Sequence, residues 1–149
     1  MRRYTVDLVR GRLIDVGPEL VIAVGPSLPE RKAAQKLGKK AIEPQPVRAL
    51  IDTGARRTVI TPLAAKRCGL VSVSPTKIFV VGGGEVQGAV YSAQVVFPGT
   101  PLASWPVIEI VGANLHHPEI ECLIGRDILR RWIMEYDGPS GQLVISEHD

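Results

Sequence analysis

The stretch RALIDTGARRTVI, from Arg48 to Ile60, decides how this chain folds. An apolar run, Ala49–Ile51, leads to a single acid, Asp52, which is followed by Thr-Gly-Ala, two arginines and the run Thr58–Ile60. The apolar and β-branched residues on either side predict two short strands. The acid between them either caps the end of the first strand or supplies a carboxylate for chemistry. The rest of the chain has to distinguish these two interpretations.

Length and composition predict one mainly β domain over residues 1–149. A chain of 149 residues is enough for a single domain and hardly for two. Apolar residues make up 45% of the chain but aromatic residues only 5%, so the core has to be built from Val, Ile, Leu and Ala. The 15 glycines and 12 prolines separate many short β-branched runs, a pattern that is typical of all-β folds.

Charge and cysteine content argue against several classes of partner. The net charge of +3 is mild and lacks the dense Lys and Arg stripe of nucleic-acid binders, so we expect no nucleic acid. No apolar run approaches the ~18 residues of a membrane span, and the N-terminus lacks the apolar core of a secretory signal. Cys68 and Cys122 are far apart and in no metal-binding spacing. They favour reduced thiols in a cytoplasmic protein, although a disulfide stays open.

The first part of the chain predicts strands on either side of a basic insertion. RRYTVDLV alternates as a strand does, and LIDVGPELVIAVGP predicts two more strands joined by a Gly-Pro turn. From about residue 27 to residue 46 the sequence is rich in Lys, Ala and Gln. We expect a solvated surface insertion there, with a short helix near Glu30–Leu37, and contact with an acidic substrate or partner is the alternative.

The second half predicts a short helix and two hairpins. Thr61 as N-cap, Pro62 in the first turn and Gly69 after the end predict one helix. Two β runs, Lys77–Val81 and Ala89–Phe97, flank a glycine-rich tip and predict a long hairpin. SWPVIEIVG predicts a strand, and CLIG predicts a strand before a short helix. IMEYDGPSGQLVIS predicts a closing hairpin.

Three features in this order resemble the retropepsin-like (retroviral-type) aspartic proteases, including their bacterial and eukaryotic relatives. They are ALIDTGA, the glycine-rich hairpin roughly thirty residues later, and LIGRDIL. The resemblance covers about Val47 to Ser146. It implies an all-β fold, a closed acid-protease barrel with one or two short helices, that works as a homodimer. We expect terminal strands near Tyr4–Val9 and Leu143–Ser146 to build part of the dimer interface.

The resemblance implies that Asp52 is catalytic and that Thr53 and Gly54 support it. Two carboxylates held close together share one proton, so that one activates a water and the other donates to the scissile carbonyl. The chain has one such motif, and the second Asp52 would come from the other subunit, because a two-fold interface places identical residues opposite each other. Thr53 is expected to hydrogen-bond across the pair. The implied reaction is endopeptidase hydrolysis of a peptide or protein, with no cofactor.

The resemblance also implies how the substrate is held. Gly82, Gly83 and Gly84 would form the tip of a flap over an extended peptide, although an ordinary flexible hairpin is the alternative. Ala55 and Arg56 would line the cleft beside the catalytic acid. The glycine of LIGRDIL is expected to allow close packing beneath the catalytic loop.

Arg56 and Arg57 are where the chain departs from the family, whose members often carry Ser or Asp in place of Arg56. Arg56 would repel Arg126 unless Asp127 neutralises one of them, and Asp127 is otherwise an acid at a helix N-terminus. In the cleft, Arg56 would favour an acidic substrate side chain or the ionised form of the aspartate pair. This departure leaves an alternative function, a catalytically inactive dimerisation or peptide-binding module with the same fold.

Five residues of types that commonly bind metals lie close together immediately before LIGRDIL. They are His116, His117, Glu119, Glu121 and Cys122. Adjacent histidines rarely share one metal ion, and this spacing matches no known site, so we expect no metal.

Overall fold

The computed structural model describes residues 1–8, 11–80 and 84–149, in which strands dominate. The strands are β1 Arg2–Thr5, β2 Glu19–Pro26, β3 Gln45–Ile51, β4 Val59–Ile60, β5 Ser72–Val80, β6 Gly84–Val96, β7 Trp105–Gly112, β8 Cys122–Ile124, β9 Trp132–Asp137 and β10 Gln142–Glu147. The helices are α1 Leu13–Val16, α2 Leu28–Lys36, α3 Pro62–Arg67 and α4 Arg126–Leu129.

Six strands close into a barrel in the order β2-β3-β8-β4-β7-β6, and β6 returns to pair with β2. The closing pair is antiparallel and aligns Ala23 with Val96 and Pro26 with Ala93. Strand β5 is attached to this ring through β6, with which it forms the predicted long hairpin. Because the ring is closed, each of its six strands has a neighbouring strand on both sides. The prediction of a closed all-β barrel is confirmed.

The stretch from Arg48 to Ile60 flanks β8 on both sides. Strand β3 pairs with β8 in parallel, with Ile51 opposite Ile124, and β4 pairs with β8 in antiparallel fashion, with Val59 opposite Leu123. The loop between β3 and β4 therefore passes over the end of β8. This topology places the residues that follow β8 directly beneath the loop that carries Asp52.

The core is aliphatic, as the composition predicts. In β3 the buried residues Val47, Ala49 and Ile51 alternate with residues of greater exposure, which is the pattern of a strand with one face on the core. The largest fully buried side chains include Ile22, Ile60, Ile110, Ile124, Ile128, Leu143 and Ile145. Burying each such side chain contributes about 1.5–3 kcal/mol to folding.

The chain termini form a second sheet of three strands, in the order β1-β10-β9. Strands β1 and β10 are antiparallel, with Arg2 opposite Glu147. The buried carboxylate of Glu147 accepts a hydrogen bond from Ala103 N at 2.7 Å, which ties the sheet to the barrel. On β9, Ile133 and Tyr136 are exposed. Participation of the terminal strands in a dimer interface stays a prediction.

One predicted strand is wrong, because Leu13–Val16 forms the helical turn α1. Only Leu13 of this turn is buried, so the segment has no buried strand face. Arg12 and Asp15 form an ion pair at 3.4 Å across one turn, and Gly17 ends it at a φ of 72°, where a side chain is disfavoured. With α1, the described residues contain four short helices, more than the one or two expected.

The basic insertion contains α2, close to the predicted position, and none of the helix residues is buried. Arg31 attaches this helix to the body of the protein, since it donates to Gln94 Oε1 at 3.1 Å and pairs with Glu43 at 2.7 Å. Helix α3 begins as predicted, with Thr61 Oγ1 accepting from Ala64 N at 3.3 Å. Across the described residues, none of the helices has the length and apolar character needed to cross a membrane.

Candidate active site

Asp52 lies directly after β3, in the loop that passes over the end of β8. Its backbone N–H donates to Ile124 O at 3.0 Å, which extends the pairing of β3 and β8 by one residue. The Asp52 carboxylate is partly exposed, and its Oδ1 accepts from Gly54 N at 2.8 Å. Within the described part of the chain no other donor reaches this carboxylate. One oxygen is therefore held in place while the other is available for chemistry.

Gly54 brings a backbone donor to the acid, as predicted. A Cβ at this position would lie only 3.1 Å from Asp52 Oδ1, so a side chain would crowd the carboxylate. The loop is tightened by Ala55 N, which donates to Asp52 O at 3.2 Å. Ala55 O in turn accepts from Arg126 N at 2.9 Å. Asp52 is thus positioned by backbone hydrogen bonds to β8, to its own loop and, through Ala55, to α4.

Thr58 and Asp127 fasten the far end of the loop. Asp127 Oδ2 accepts from Thr58 N at 2.9 Å, and Asp127 Oδ1 accepts from Thr58 Oγ1 at 2.7 Å. The same Oδ1 accepts from Ile128 N at 2.9 Å, and Thr58 Oγ1 accepts from Gly125 N at 3.1 Å. Because Thr58 is fully buried, these bonds satisfy polar groups that would be costly to leave unpaired.

The sequence pattern does not predict that Thr58 anchors the loop by binding Asp127. The available signal was a threonine at the start of the second apolar run of RALIDTGARRTVI, together with the acid that follows Gly-Arg in LIGRDIL. Neither residue indicates the other, because they are separated by 69 positions and meet only through the pairing of β4 with β8.

Gly125 allows β8 and α4 to pass directly beneath the loop. A Cβ on Gly125 would lie 2.5 Å from both the carbonyl carbon and the oxygen of Arg57, and 2.9 Å from Thr58 N. Rotation of a side chain cannot relieve contacts with backbone atoms, so the loop itself would have to move. The prediction of close packing at this glycine is confirmed.

The two consecutive arginines have different environments. Arg57 is partly exposed and pairs with Glu109 of β7 at 3.3 Å. Arg56 is exposed, and no carboxylate among the described residues lies within ion-pair distance of it. One of the two positive charges is therefore compensated within the chain, and the other is not.

A third arginine, Arg126, folds back onto the loop. Its Nη1 donates to Thr53 O at 2.8 Å, and within the described residues it makes no ion pair with a carboxylate. Asp127 neutralises neither Arg126 nor Arg56, because its oxygens are engaged by Thr58 and by the N-terminus of α4. Of the two predicted roles of Asp127, the acid at a helix N-terminus is the one observed.

The other predicted site residues are placed only in part. Thr53 is exposed, and its hydroxyl makes no hydrogen bond within the described residues, so its bond across two carboxylates stays a prediction. Gly84 begins β6, opposite Val80 of β5, and is exposed. Gly82 and Gly83 lie outside the described residues. The role of these glycines as a flap therefore stays a prediction.

Arg67 and Glu121 form a two-pronged ion pair between α3 and the residue before β8. Arg67 Nη1 and Nη2 donate to Glu121 Oε1 and Oε2 at 2.6 and 2.9 Å, and Glu121 Oε2 also accepts from Arg48 N at 3.3 Å. The hydrogen bonds from Arg67 hold the pKa of Glu121 below its ordinary value, and the same bonds raise the pKa of Arg67. Glu121 therefore has a structural role.

The metal-ligand residue types do not converge on one point. Throughout the described ranges, no group of three His, Cys, Asp or Glu side chains is placed to hold an ion. His117 Nδ1 instead accepts from Glu119 N and Ile120 N at 3.0 and 2.8 Å, which orders the loop before β8. Cys68 and Cys122 are buried free thiols, and burial raises the pKa of both.

The sequence matches a family model and several curated proteins. Residues 31–128 match the family model of the aspartyl proteases. A curated relative, DNA damage-inducible protein 1 of Chaetomium globosum, is 30% identical over 104 residues, which are 66% of this chain and 22% of the relative. The chain spans about a fifth of the length of the curated relatives it matches.

Two solved structures share its fold. A retropepsin-like aspartic protease from Rickettsia conorii superimposes with a TM-score of 0.58 at 16% identity, over 96% of this chain and 92% of that one. EIAV protease in complex with the inhibitor HBY-793 gives a TM-score of 0.51 at 19% identity, over 84% of this chain and 91% of that one. At identities this low the two superpositions show a shared fold and nothing more. They confirm the predicted retropepsin-like barrel.

Proposed function

Because the chain belongs to the aspartyl protease family, we propose that it is an endopeptidase and that Asp52 is its catalytic carboxylate. The observation that carries the proposal is the setting of this side chain. Asp52 is partly exposed, with one oxygen held by Gly54 N at 2.8 Å and the other without a donor among the described residues. Backbone hydrogen bonds to β8 and, through Ala55, to α4 fix the position of the loop that carries this side chain.

Catalysis by this acid requires a second carboxylate. Hydrolysis of an amide by water needs a base to activate the water and an acid to protonate the scissile carbonyl oxygen. One carboxylate cannot be ionised and protonated at the same time. The described residues place no other carboxylate in contact with Asp52, and Asp127 is committed to Thr58. The proposed source is Asp52 of a second copy of the chain, across a two-fold axis.

In the proposed dimer the two carboxylates share one proton, since two like charges at contact distance are costly. The ionised carboxylate takes a proton from water as the water adds to the scissile carbonyl. The protonated carboxylate gives its proton to the carbonyl oxygen, which leaves a tetrahedral diol. The carboxyl group that took the water proton then protonates the amide nitrogen, the other carboxylate takes a proton from a hydroxyl of the diol, and the C–N bond breaks to release the amine and the carboxylic acid. The terminal sheet supports this assembly, because β1 and β9 are its outer strands and Ile133 and Tyr136 of β9 are exposed.

The first test is substitution of the acid. Purified wild-type protein and Asp52→Asn are incubated with a denatured protein mixture from pH 3 to pH 8, and new termini are identified by mass spectrometry. We expect cleavage by the wild type and a loss of about 10²- to 10⁴-fold in Asp52→Asn, the usual contribution of a general acid–base group. Asp15→Asn is the matched control, because Asp15 lies on the exposed turn α1. Full activity in Asp52→Asn would overturn the proposal.

A mixing experiment tests the shared site. If each active centre needs Asp52 from both subunits, excess Asp52→Asn protein captures wild-type subunits in inactive mixed dimers. Wild-type activity should then fall as Asp52→Asn is added at constant wild-type concentration, whereas added Asp15→Asn should not lower it. Activity that stays constant under subunit exchange, or an active monomer by analytical ultracentrifugation, would exclude the dimer mechanism.

The inactive peptide-binding module remains a second candidate because of Arg56. Arg56 stands four positions after Asp52, is exposed, and has no carboxylate partner among the described residues. Peptide binding without any cleavage between pH 3 and pH 8, with Asp52 intact, would favour this candidate over the peptidase.

A further inference from the structure

Arg56 presents its charge from a fixed position on the loop that bears Asp52. On one side, Ala55 O accepts from Arg126 N at 2.9 Å. On the other side, Thr58 is held by Asp127 at 2.7 and 2.9 Å. The backbone around Arg56 is therefore anchored to α4 at both ends, while the side chain is exposed. Such an arrangement can hold a ligand group in one place with little cost in ordering the loop.

The neighbouring arginines show that this charge is not part of the internal ion pairs. Arg57 turns to β7 and pairs with Glu109 at 3.3 Å. Arg126 donates to Thr53 O at 2.8 Å, next to Asp52, and has no carboxylate partner within the described residues. Arg56 and Arg126 thus leave two uncompensated positive charges around the loop. Cations without an internal partner attract ligand groups of negative charge.

We propose that Arg56 selects substrates that carry a carboxylate close to the scissile bond. The inference rests on the proposed function, because it concerns the same cleft. Guanidinium groups bind carboxylates through two parallel hydrogen bonds, so the carboxylate is recognised by its orientation as well as by its charge. The turn from Asp52 O to Ala55 N keeps Arg56 close to the acid. The turn closed by Ala55 N keeps the Cα atoms of Asp52 and Ala55 within about 7 Å, and Arg56 lies about 3.8 Å further along. Since an extended peptide advances about 3.3 Å per residue, we place the carboxylate within about three residues of the cleaved bond.

The two-fold symmetry of the proposed dimer adds a consequence. Each subunit contributes one Arg56, and the two lie on opposite sides of the pair of Asp52 residues. An extended peptide crosses both halves of the cleft. A carboxylate is therefore favoured at one position before the scissile bond and at one position after it.

The experiment uses the full chain and pairs of labelled decapeptide pools, amidated at the C-terminus. The two pools of a pair are identical except that one fixed position carries Glu or Gln, and the fixed position is moved along the peptide. The readouts are kcat/KM for cleavage and binding by fluorescence anisotropy. We expect Glu to be preferred over Gln by about tenfold at a favoured position. The preference should fall between 50 and 500 mM NaCl, because salt screens exposed charges.

The source of the carboxylate is tested by a third pool that contains Gln at the fixed position and a free C-terminus. If the free C-terminus raises kcat/KM as much as an internal Glu does, the site takes terminal carboxylates as well as side chains. If only an internal Glu raises kcat/KM, the site takes acidic side chains.

Variants connect the preference to the residue. Arg56→Gln should bring the Glu to Gln ratio close to one, and Arg56→Glu should reverse it in favour of a pool with Lys at the fixed position. Arg57→Gln is the matched control and should keep the wild-type ratio, because Arg57 is already paired with Glu109. Thermal unfolding shows whether each variant is folded, and Arg56→Lys supplies a second comparison in which the charge is kept and a reduced preference is expected.

The outcomes separate the inference from the proposed function. Equal rates with Glu and Gln pools at every position, or a preference that survives in Arg56→Gln, would overturn the inference and leave the peptidase in place. Absence of cleavage together with Arg56-dependent binding of Glu pools would overturn the peptidase and support the carboxylate site.

Discussion

Thr58 and Asp127, 69 positions apart, are joined by the backbone N–H and the hydroxyl of Thr58, which both donate to the Asp127 carboxylate at 2.9 and 2.7 Å. Thr58 ends the loop that begins with Asp52, and Asp127 lies in the first turn of α4, the helix that follows β8. The position of the candidate catalytic acid therefore depends on a buried polar contact between two segments that are distant in sequence.

Asp127→Ala should destabilise the protein by about 3 kcal/mol, because it leaves the buried Thr58 N–H and hydroxyl without their acceptor. Urea unfolding measures the change. Asp127→Asn should cost less, since one side-chain oxygen still accepts. Asp15→Ala on the exposed turn α1 is the control and should stay within about 0.5 kcal/mol of the wild type. Equal stability of Asp127→Ala and Asp15→Ala would show that the contact does not support the loop.

Gly125→Ala should destabilise the fold by roughly 2 kcal/mol or more and reduce any peptidase activity, since the new Cβ would meet the backbone of Arg57 at 2.5 Å. Gly138→Ala provides the matched control, because a Cβ there would have only an ordinary contact of 3.8 Å with Tyr136. Thermal and urea unfolding of both variants check the prediction. A Gly125→Ala protein as stable as Gly138→Ala would mean that the loop has room to move.

The Arg67–Glu121 pair should make stability depend on pH in the acid range. The pKa of Glu121 is lowered in the folded state by the hydrogen bonds from Arg67. Its contribution is therefore fully present above the unfolded pKa and is lost as the pH falls through the lowered folded pKa. Because the Arg67 side chain is 43% exposed, solvent screening limits the pair to about 0.5–1 kcal/mol.

We expect Glu121→Gln to be less stable than the wild type at pH 7, and the difference to shrink as the pH falls below 4.5. Unfolding curves at a series of pH values measure it. Glu135→Gln is the control, because Glu135 is exposed and lies 3.7 Å from Arg3. A stability difference for Glu121→Gln that is constant between pH 3 and pH 7 would contradict the assignment.

Cys68 and Cys122 should not react with thiol reagents in the folded protein at pH 8. Both side chains have no exposed surface, so the reagent cannot reach the sulfur atoms. Burial also raises the pKa of both thiols, which lowers the fraction of the reactive thiolate. Labelling with Ellman's reagent should begin only as the protein unfolds in urea. Ser140→Cys places a thiol in the exposed turn between β9 and β10 and should react at once. Rapid labelling of the native wild type would show that these thiols are accessible.

Local sequence signals predicted the parts of the structure that depend on neighbouring residues. The strand and turn of ALIDTGA were predictable because an apolar run ends at Asp52 and Gly54 admits a close backbone donor. Helix α3 was predictable because Thr61 and Gly69 mark its ends. The apolar residues of Leu13–Val16 suit a strand as well as a helix, so the pattern alone predicts the wrong element. In the structure the segment is a helical turn, and Leu13 is its buried residue.

By itself, the sequence determined an all-β domain, the position of Asp52 and the need for glycine at residues 54 and 125. Turn geometry and β-branched runs are short-range properties, so they can be read along the chain. Only the tertiary structure decided that β6 closes the ring on β2 and that Asp127 binds Thr58. It also decided that Arg57 is paired while Arg56 is exposed. These outcomes depend on which groups meet across the barrel, and two adjacent arginines in a sequence carry no information about which one finds a carboxylate.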